Sequence, residues 1–429
     1  MKSIYEQEAA MDGKIYMCID LKSFFASVEC ADMGIDPFKE NLVVADPSRG
    51  NGAICLAITP AMKALGIRNR CRIFEIPPGV KYITALPRMK RYMEVSAEIY
   101  GIYLRYISPE DIHVYSIDEC FIDATPYLDM YSMTPKQLAQ ELMNAVSEQT
   151  HICATAGIGT NLFLAKIALD ITAKHTPDHI GWLDERKFHE KLWRHRPLTD
   201  FWSIGAGTAR RLAKYGVYDM CGIAHMNEDV LYKEFGVNAE FLIDHSHGRE
   251  PCTIAEIQSY SSKSHSISNG QILFEDYSYD NALIVLKEMA DTLVLELVEK
   301  GLAAESVALT VGYSKDVMPP TGGNRRLSVI TASRRKLTEQ LVQLYEETTR
   351  RRYPIRSINI GFGGLTDEMY TGMDLFMDPA EEEKEKKMQH AIIDIKRRFG
   401  KNSLIMGMSL QEKATGIRRN NMVGGHNGG

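Results

Sequence analysis

The sequence lacks the features that mark secreted proteins, zinc-binding proteins and membrane proteins. Its eight cysteines form no Cys-x-x-Cys pair, so their spacing predicts neither a zinc site nor a disulfide framework. They are typical of small buried side chains in a reducing compartment, and we expect a cytoplasmic protein. No apolar run reaches the ~18 residues that a membrane span needs. The opening stretch MKSIYEQEAAMDGK is polar, which is not the pattern of a signal peptide.

The composition is that of an ordinary globular chain. The 429 residues are 45% hydrophobic and 25% charged, with a net charge of −6, and at ~150 residues per domain they suffice for about three domains. From residue 181 short helices dominate, and a β-α-β-β-α-β pattern fills 261–365. Its strands are expected near 261–267, 305–313, 326–331 and 355–363, and its helices near 279–300 and 334–351. The predicted fold class is α+β, in several domains.

Two acidic residues interrupt an apolar, β-rich run, VYSIDECFIDAT at 114–125. Neighbouring residues of a regular strand point to opposite faces, so Asp118 and Glu119 can act at one place only where the chain turns. The flanking runs predict a tight hairpin with both acids at its bend. Adjacent carboxylates repel each other, and a divalent cation removes that conflict. Asp20, which ends the strand-like run IYMCID, is a candidate third carboxylate, and Mg²⁺ prefers such oxygens together with phosphate.

An isolated Asp-Glu pair is more often a solvated turn, and the residues that follow Asp20 are what favour a site. The stretch CIDLKSFFASVE places Phe24 and Phe25 shortly after that acid. A Phe-Phe pair in a helix is usually core. Next to a metal ligand, one ring could instead wall the sugar pocket of a nucleotide, where it would clash with a 2′-hydroxyl and so separate deoxyribose from ribose.

Three blocks in this order and spacing, DLKSFFASVE, YSIDECFID and GIGTNLFLAKIA, resemble the signature motifs of Y-family translesion DNA polymerases. The stretch LIMGMSL and the later ATGIRRNNMVGGH are similar to the UmuC-like (ImpB/MucB/SamB) branch, particularly UV-damage repair members of Gram-positive bacteria and their phages. The resemblance runs from about residue 14 onward and implies a right-hand polymerase with a helix-hairpin-helix in its thumb. The implied boundaries are 14–23 and 91–180 for the catalytic palm, 24–90 for the fingers, 181–252 for the helical thumb, 253–257 for a linker, 258–365 for a DNA-binding little finger and 366–429 for a tail.

The resemblance assigns catalysis to Asp20, Asp118 and Glu119. With the Leu21 carbonyl, these carboxylates would hold two Mg²⁺ ions, for which Mn²⁺ could substitute. Catalysis would then consist of positioning and charge neutralisation during an in-line displacement. Lys166, in the third block, matches a common family lysine, and we place it only near the active-site helix; a lysine on an ordinary helix face is the alternative.

The same resemblance implies a pocket for the incoming deoxynucleotide. Phe25 would be the steric gate against ribonucleotides, with Phe24 beside it. Lys63 and Lys174 occupy the places of basic contacts to the triphosphate, although an ordinary solvated lysine is the alternative at each. Many family members carry a tyrosine three residues before the first of these lysines, where this chain has Pro60. The missing hydroxyl puts the affinity for the nucleotide in doubt rather than the chemistry.

Because the net charge is negative, binding to DNA requires local positive charge. Basic runs concentrate in the β-α-β-β-α-β segment, although each run alone is more often a solvated surface. The stretch SIGAGTARRLAKYGV resembles a helix-hairpin-helix, in which glycines let backbone N–H groups approach a phosphate. The candidate DNA contacts are Gly205, Gly207, Arg325, Arg326, Arg334 and Arg335.

The predicted function is low-fidelity, template-directed DNA synthesis across damaged bases in an SOS-type response, with primer–template DNA and dNTPs as substrates. Leu375 and Phe376 lie where such polymerases often carry a sliding-clamp motif, although they could equally cap the protein's own surface. The need for accessory subunits stays open. One alternative is a catalytically silent DNA- and clamp-binding regulator on a polymerase fold, which the presence of all three acids disfavours. Another is a different palm-fold enzyme such as a cyclase.

Overall fold

The computed structural model describes residues 13–261, 265–315, 317–368 and 379–428. The chain divides into two compact units, the first ending at Tyr260 and the second running from Ser261 to Gly428. The strands of the first unit are β1 Tyr16–Leu21, β2 Leu42–Val44, β3 Ala57–Ile58, β4 Ile83–Ala85, β5 Ile112–Val114, β6 Glu119–Asp123, β7 Ala154–Gly159 and β8 Ile180–Leu183. Its α-helices are α1 Phe24–Met33, α2 Pro60–Ala64, α3 Met89–Tyr103, α4 Thr125–Tyr131, α5 Pro135–Thr150, α6 Leu162–Ile167, α7 Glu185–Lys191, α8 Ala206–Ala213, α9 Met220–Ala224, α10 Glu228–Phe235, α11 Ala239–Ser246 and α12 Ile254–Ser259.

The larger sheet of the first unit has the strand order β5-β6-β1-β7-β8. Strand β1 lies at its centre, antiparallel to both β6 and β7. Side chains alternate across β1, so Met17 and Ile19 join the core with α3 and α5, whereas Tyr16 and Cys18 pack with α6 on the opposite face. A strand covered on both faces is normally apolar throughout. Asp20 is the one charged residue of β1, and it stands at the end where the strand leaves the core.

Helix α6 rests directly on the backbone of β7. A Cβ atom at Gly157 would lie 2.2 Å from the carbonyl oxygen of Ala165, and one at Gly159 would lie 2.3 Å from the nitrogen of Ala165. Only glycine allows so close an approach. Asn161 caps the helix by accepting a hydrogen bond from the Leu164 amide at 2.8 Å. The GIGTN stretch therefore fixes where α6 crosses the sheet, and with it the position of Lys166.

The rest of the first unit has two further cores. Strands β3, β2 and β4 form a small sheet whose apolar side chains, Val43 and Ile58 among them, pack with Met62 of α2. Helices α7 to α11 surround a separate core that includes Phe188 and Leu212. The dominance of short helices after residue 181 is thus confirmed.

The predicted linker at 253–257 is wrong, because these residues belong to helix α12. Thr253 and Glu256 form a reciprocal capping box at its start. Ile254 is buried in the core between α6 and the sheet, and the Gln258 side chain donates to the Pro109 carbonyl at 3.1 Å. The helix is therefore part of the first unit.

The second unit contains a β-α-β-β-α-β fold, as the sequence predicts. Its strands are β9 Ser266–Tyr277, β10 Leu302–Tyr313, β11 Thr321–Thr331, β12 Ile355–Gly363, β13 Thr366–Asp367, β14 Met422–Val423 and β15 His426–Asn427. Its α-helices are α13 Tyr279–Glu299, α14 Arg334–Thr348, α15 Pro379–Phe399 and α16 Gly416–Asn420. The main sheet is antiparallel, in the order β11-β10-β12-β9. The prediction of a first strand at 261–267 is wrong, since β9 begins at Ser266.

Helices α13 and α14 cover one face of this sheet with a continuous apolar core. Apart from the exposed Ile272, the strand residues on the other face are mostly small or polar, and they include Ser268, Gly270, Ser306, Ala308, Thr310, Asn324, Arg326, Asn359 and Gly361. The residues after 379 pack on the same unit. Glu288 of α13 accepts backbone hydrogen bonds from Thr415 and Gly416 at 2.8 and 3.0 Å.

Candidate active site

The register of the first sheet places two of the predicted acids directly opposite each other. Asp20 of β1 pairs with Glu119 of β6, and both side chains belong to the face that α6 covers. Cross-strand partners in an antiparallel sheet have Cβ atoms only ~5 Å apart. The structure therefore brings together an acid from each of two sequence blocks that lie about a hundred residues apart.

Asp118 joins them because the chain turns immediately before β6. Strands β5 and β6 form the predicted hairpin, and the amides of Tyr115 and Ser116 both donate to the Glu119 carbonyl at 3.0 Å. The Leu21 amide donates to the Asp118 carbonyl at 2.9 Å, which ties the bend to the end of β1. The Ser116 hydroxyl holds the Asp118 carboxylate at 2.6 Å. The prediction of a tight hairpin that carries both acids is confirmed.

The closeness of the three acids changes the pKa of Asp20. Burial, followed by the charges of Asp118 and Glu119, raises the pKa of Asp20 to about 7. A carboxylate whose neighbours are also acids is most stable when a positive charge lies nearby. The three acids at the end of β1 therefore require more positive charge nearby than their acidic neighbours provide.

A buried lysine supplies part of that charge on the side of α6. The Lys166 amine lies 2.8 Å from Glu119 Oε1 and 3.1 Å from Asp170. The Cys18 thiol donates to the same oxygen of Glu119 at 3.0 Å. Burial alone would lower the pKa of Lys166, but the groups around it outweigh burial and raise it. Sequence reasoning placed Lys166 near the site and missed this ion pair.

The donor set fits a divalent cation chemically, because three carboxylates and a strand-end carbonyl are the oxygen ligands that Mg²⁺ prefers. Within the described residues, however, no three Asp, Glu, His or Cys side chains already surround a common centre. Glu119 is engaged by Lys166 and Cys18, and Asp118 by Ser116. The carboxylates are therefore assembled at one end of the sheet, where protein partners satisfy Glu119 and Asp118.

Both predicted phenylalanines begin helix α1, immediately after the end of β1. Phe24 is buried in the core, whereas Phe25 is only partly buried. The ring of Phe25 stacks on the ring of Tyr92 from α3, with centroids 4.5 Å apart and an interplanar angle of 16°. Phe25 is therefore the more accessible ring next to the acids, as its predicted role requires.

The Asp20 carboxylate acts on two nearby amines, those of Lys63 and Lys22. Burial lowers the pKa of Lys63; the Asp20 carboxylate opposes that shift and the Lys174 amine adds to it. Burial likewise lowers the pKa of Lys22, with Cys153 and Asp20 opposing and Lys63 adding. Of the two lysines singled out in the sequence, Lys63 thus feels the charge of Asp20, and Lys174 lies close enough to act on Lys63. Lys22, between β1 and α1, joins them and was missed.

Pro60 occupies the first turn of α2, after the extended residue Thr59. Proline suits that position, because its fixed φ matches the helix and its missing N–H would have no partner there. The departure from the tyrosine of many family members therefore has a local structural role.

The candidate DNA contacts lie in different environments. Gly205 precedes helix α8 and Gly207 lies in its first turn, and a Cβ at either would meet no atom within 4 Å. Packing therefore does not require glycine at these two positions. Their accessibility leaves the predicted phosphate contact as a prediction.

The arginines of the second unit divide between the two faces of the sheet. Arg325 points toward the helices and pairs with Glu347 of α14, whereas Arg326 lies on the other face and pairs with Glu305. Arg334 pairs with Asp291 at 2.6 Å. Arg335 begins the same helix, α14, and its amide donates to Glu385 at 3.1 Å. Leu375 and Phe376, the predicted clamp motif, lie outside the described residues.

Among the described residues, no helix combines the length and apolar character needed to cross a membrane.

Comparisons with known proteins identify related sequences and a similar fold. The impB/mucB/samB family model matches residues 19–170, and the model of its C-terminal domain matches residues 264–375. A Bacillus subtilis (strain 168) protein that carries the name UV-damage repair protein UvrX is 28% identical over 96% of this chain and 97% of its own length. DNA polymerase IV 2 of the same strain is 28% identical over 97% of this chain and 99% of its own. A solved Y-family DNA polymerase chimera has a similar fold, with a TM-score of 0.63 at 20% identity, covering 81% of this chain and 98% of that one.

Proposed function

The chain belongs to the impB/mucB/samB family, the UmuC-like branch of the Y-family DNA polymerases, and on that premise we propose that it extends a primer along a damaged DNA template. The relatives named DNA polymerase IV support this activity. The observation that carries it is the juxtaposition of Asp20 with Glu119 across two strands, with Asp118 at the adjoining bend. A catalytically silent protein on this fold would have no need to keep like charges crowded at the end of a buried strand.

Asp20, Asp118 and Glu119, with the Leu21 carbonyl, are the groups that would hold two Mg²⁺ ions. Bound there, the ions would neutralise the charge of the reacting phosphoryl group and activate the primer 3′-oxygen. The chain's own contribution is positional, because strands β1 and β6 fix the acids on a rigid sheet. Lys22, Lys63 and Lys174 supply the positive charge that a triphosphate would need beside them.

We infer that Phe25 reads the sugar of the incoming nucleotide. Its ring is partly exposed, lies five residues after Asp20 in the chain and stacks on Tyr92. A 2′-hydroxyl placed against such a ring would clash with it. The division into a palm of 14–23 and 91–180, fingers of 24–90 and a thumb of 181–252 is part of the same proposal.

The second unit supports a non-specific grip on DNA. The face of its sheet that the helices leave uncovered carries mostly small side chains and glycines, together with Arg326 and the exposed Ile272. Small residues allow a close approach of the phosphate backbone, and phosphate contacts position a protein without reading sequence. Docking on a sliding clamp through Leu375 and Phe376, and a role in an SOS-type response, remain further parts of the proposal.

A primer-extension assay with Mg²⁺ tests the central claim. We expect Asp118→Ala to reduce extension by at least about 10³-fold, since a lost metal ligand removes several kcal/mol of transition-state stabilisation. Asp129→Ala, at an exposed acid on α4 of the same unit, is the matched control and should extend normally. Extension by both variants, or by neither the variants nor the unaltered chain, would contradict the proposal. A template with an abasic site then tests synthesis across damage.

A further inference from the structure

Phe25 does not stand alone, because its ring has a rigid support. The ring of Tyr92 stacks against it at a centroid distance of 4.5 Å and 16° between the planes. Tyr92 is 0% exposed, so the supporting ring cannot move without disturbing the core. Stacked aromatic pairs have a preferred offset and orientation. The direction in which Phe25 points is therefore linked to the position of Tyr92.

Tyr92 is held in turn by a buried carboxylate. Its hydroxyl donates to Glu29 Oε1 at 2.6 Å, and Glu29 is only 2% exposed. Arg88 grips the same carboxylate with two hydrogen bonds, from Nε to Oε1 at 3.0 Å and from Nη2 to Oε2 at 2.7 Å. A bidentate pair of this kind fixes geometry as well as charge.

The four residues form two interlocked pairs. Phe25 and Glu29 lie four residues apart on α1, and Arg88 and Tyr92 lie four residues apart at the start of α3, so each pair shares one helix face. Arg88 reaches Glu29 while Tyr92 reaches both residues of the other pair. The network locks α1 against α3 at the level of the Phe25 ring.

Simple packing does not require this arrangement. A buried carboxylate is costly unless it is paired, and an apolar contact in its place would give equal or greater stability. The network instead provides a fixed orientation, which an apolar contact specifies less well. That property matters for a ring whose task is to exclude a single hydroxyl group.

We propose that Tyr92 is a positioning residue for Phe25, and that the Tyr92–Glu29–Arg88 network determines how strongly ribonucleotides are rejected. This inference rests on the proposed role of Phe25 as the steric gate. Tyr92 acts through Phe25 and makes no contact of its own with the sugar. Loosening the support should let the gate ring tilt and admit a 2′-hydroxyl.

The test compares kcat/KM for dNTP and for rNTP incorporation opposite the same template base. Tyr92→Leu removes the supporting ring and should lower the dNTP-to-rNTP ratio roughly two- to tenfold, the range that the loss of an ordinary aromatic pair supports. Tyr92→Phe keeps the ring but loses the hydroxyl that donates to Glu29, so its ratio should lie between those of the unaltered chain and Tyr92→Leu. Tyr127→Leu, at a buried tyrosine of the same core that is not among the ring contacts of Phe25, is the matched control. It should leave the ratio unchanged, because general loss of packing affects both nucleotides alike.

The double variant Phe25→Ala/Tyr92→Leu decides whether the two residues act in series. Its ratio should equal that of Phe25→Ala alone. A further fall in the double variant, or an unchanged ratio in folded Tyr92→Leu, overturns the role of Tyr92. If Tyr92→Leu does not fold, Tyr92→Met, with a flexible side chain of similar volume, takes its place. An unchanged ratio in Phe25→Ala would instead refute the steric gate itself, and absence of extension by the unaltered chain would refute the polymerase proposal.

Discussion

Lys166→Met tests how the acid cluster is stabilised when only protein groups surround it. The Lys166 amine lies 2.8 Å from Glu119 Oε1, and both side chains are 9% exposed. Methionine keeps most of the length of the stem and removes only the charge. The substitution therefore leaves Glu119 among two other acids with one neutral donor, the Cys18 thiol at 3.0 Å.

The expected loss follows from the burial of the pair. Removing one partner of a buried ion pair costs about 3–5 kcal/mol, because the other charge is left uncompensated. The thiol hydrogen bond to Glu119 remains, so we expect the free energy of unfolding to fall by about 3 kcal/mol at pH 8, near the lower end of that range.

Asp20 sets the pH dependence. Burial and the acids beside it raise the pKa of Asp20 to about 7 while Lys166 lowers it, so removing the lysine moves that pKa further above its unfolded value of about 3.9. The folded state then binds more protons than the unfolded state between the two pKa values, so stability falls as pH rises through that window. The destabilisation caused by Lys166→Met should therefore be largest at pH 8 and smaller at pH 5.

Urea denaturation followed by tryptophan fluorescence measures this directly. The three tryptophans, Trp182, Trp193 and Trp202, all lie in the first unit, so the signal reports on that unit alone. Arg186→Met is the matched control, since the Arg186–Glu190 pair at 2.7 Å is well exposed and should contribute about 0.5 kcal/mol or less. A loss below about 1 kcal/mol in Lys166→Met at pH 8, or one that grows on acidification, would refute the reasoning.

Three further predictions concern the same site. Gly157→Ala should destabilise the first unit by at least about 2 kcal/mol in the same assay, because the added Cβ would lie 2.2 Å from the backbone of the helix. The control is Gly101→Ala, at a position on α3 with open space around it, which should be neutral or stabilising. Lys63→Ala should raise KM for dNTP about tenfold in steady-state extension, the effect of losing one charge-assisted contact, whereas the exposed Lys39→Ala should not. Asp118→Asn should abolish primer extension. In urea it should stabilise the metal-free protein by about 1 kcal/mol, because it relieves the repulsion between neighbouring carboxylates. A destabilised variant would contradict the crowding described above.

The acidic residues of the candidate site could be predicted from the sequence, because the patterns that mark them lie within a few neighbouring residues. A charge at the end of an apolar strand and a second pair at a hairpin bend can both be recognised from alternation and turn chemistry. The family blocks then indicated that the two places meet. The register that sets Asp20 opposite Glu119 confirms the meeting.

The partners of these groups were not predictable, because they depend on how elements cross. The Lys166 amine reaches Glu119 only because two glycines let α6 lie on the backbone of β7. Tyr92 lies 63 residues beyond Glu29 in the chain, and its hydrogen bond to it depends on the packing of α1 against α3. Nothing in the local pattern of either stretch indicates such a pairing.

Two expectations from the sequence were wrong, the first strand of the second unit at 261–267 and the linker at 253–257. The Asn269-Gly270 dipeptide is a strong turn signal, yet it lies within β9, where a Cβ on Gly270 would be 2.2 Å from the Asn359 side chain. Close strand approach, not a turn, explains that glycine. In the supposed linker, the signal was present and overlooked, since Thr253 and Glu256 have the spacing of a capping box.

The adjacent residues Arg325 and Arg326 show that a count of basic residues does not tell which face of a strand each side chain occupies. Both count equally toward a basic run, but successive strand residues face opposite sides. One therefore pairs with Glu347 of the helix layer and the other with Glu305 on the uncovered face. A charge count alone assigns the same role to both, whereas the register supports a DNA contact more readily at Arg326.

The candidate site combines groups whose pKa values are shifted in opposite directions. Burial and two acidic neighbours raise the pKa of Asp20, while burial lowers the pKa of Lys63 despite the nearby carboxylate. Neither shift favours the charged form of its residue, so the cluster destabilises the protein when it stands alone. Local destabilisation of this kind is typical of a functional site, where a bound ligand supplies the missing interactions. On the proposed function, a polyanion bound at Lys63 and cations bound at Asp20 would each supply the opposite charge that these residues lack.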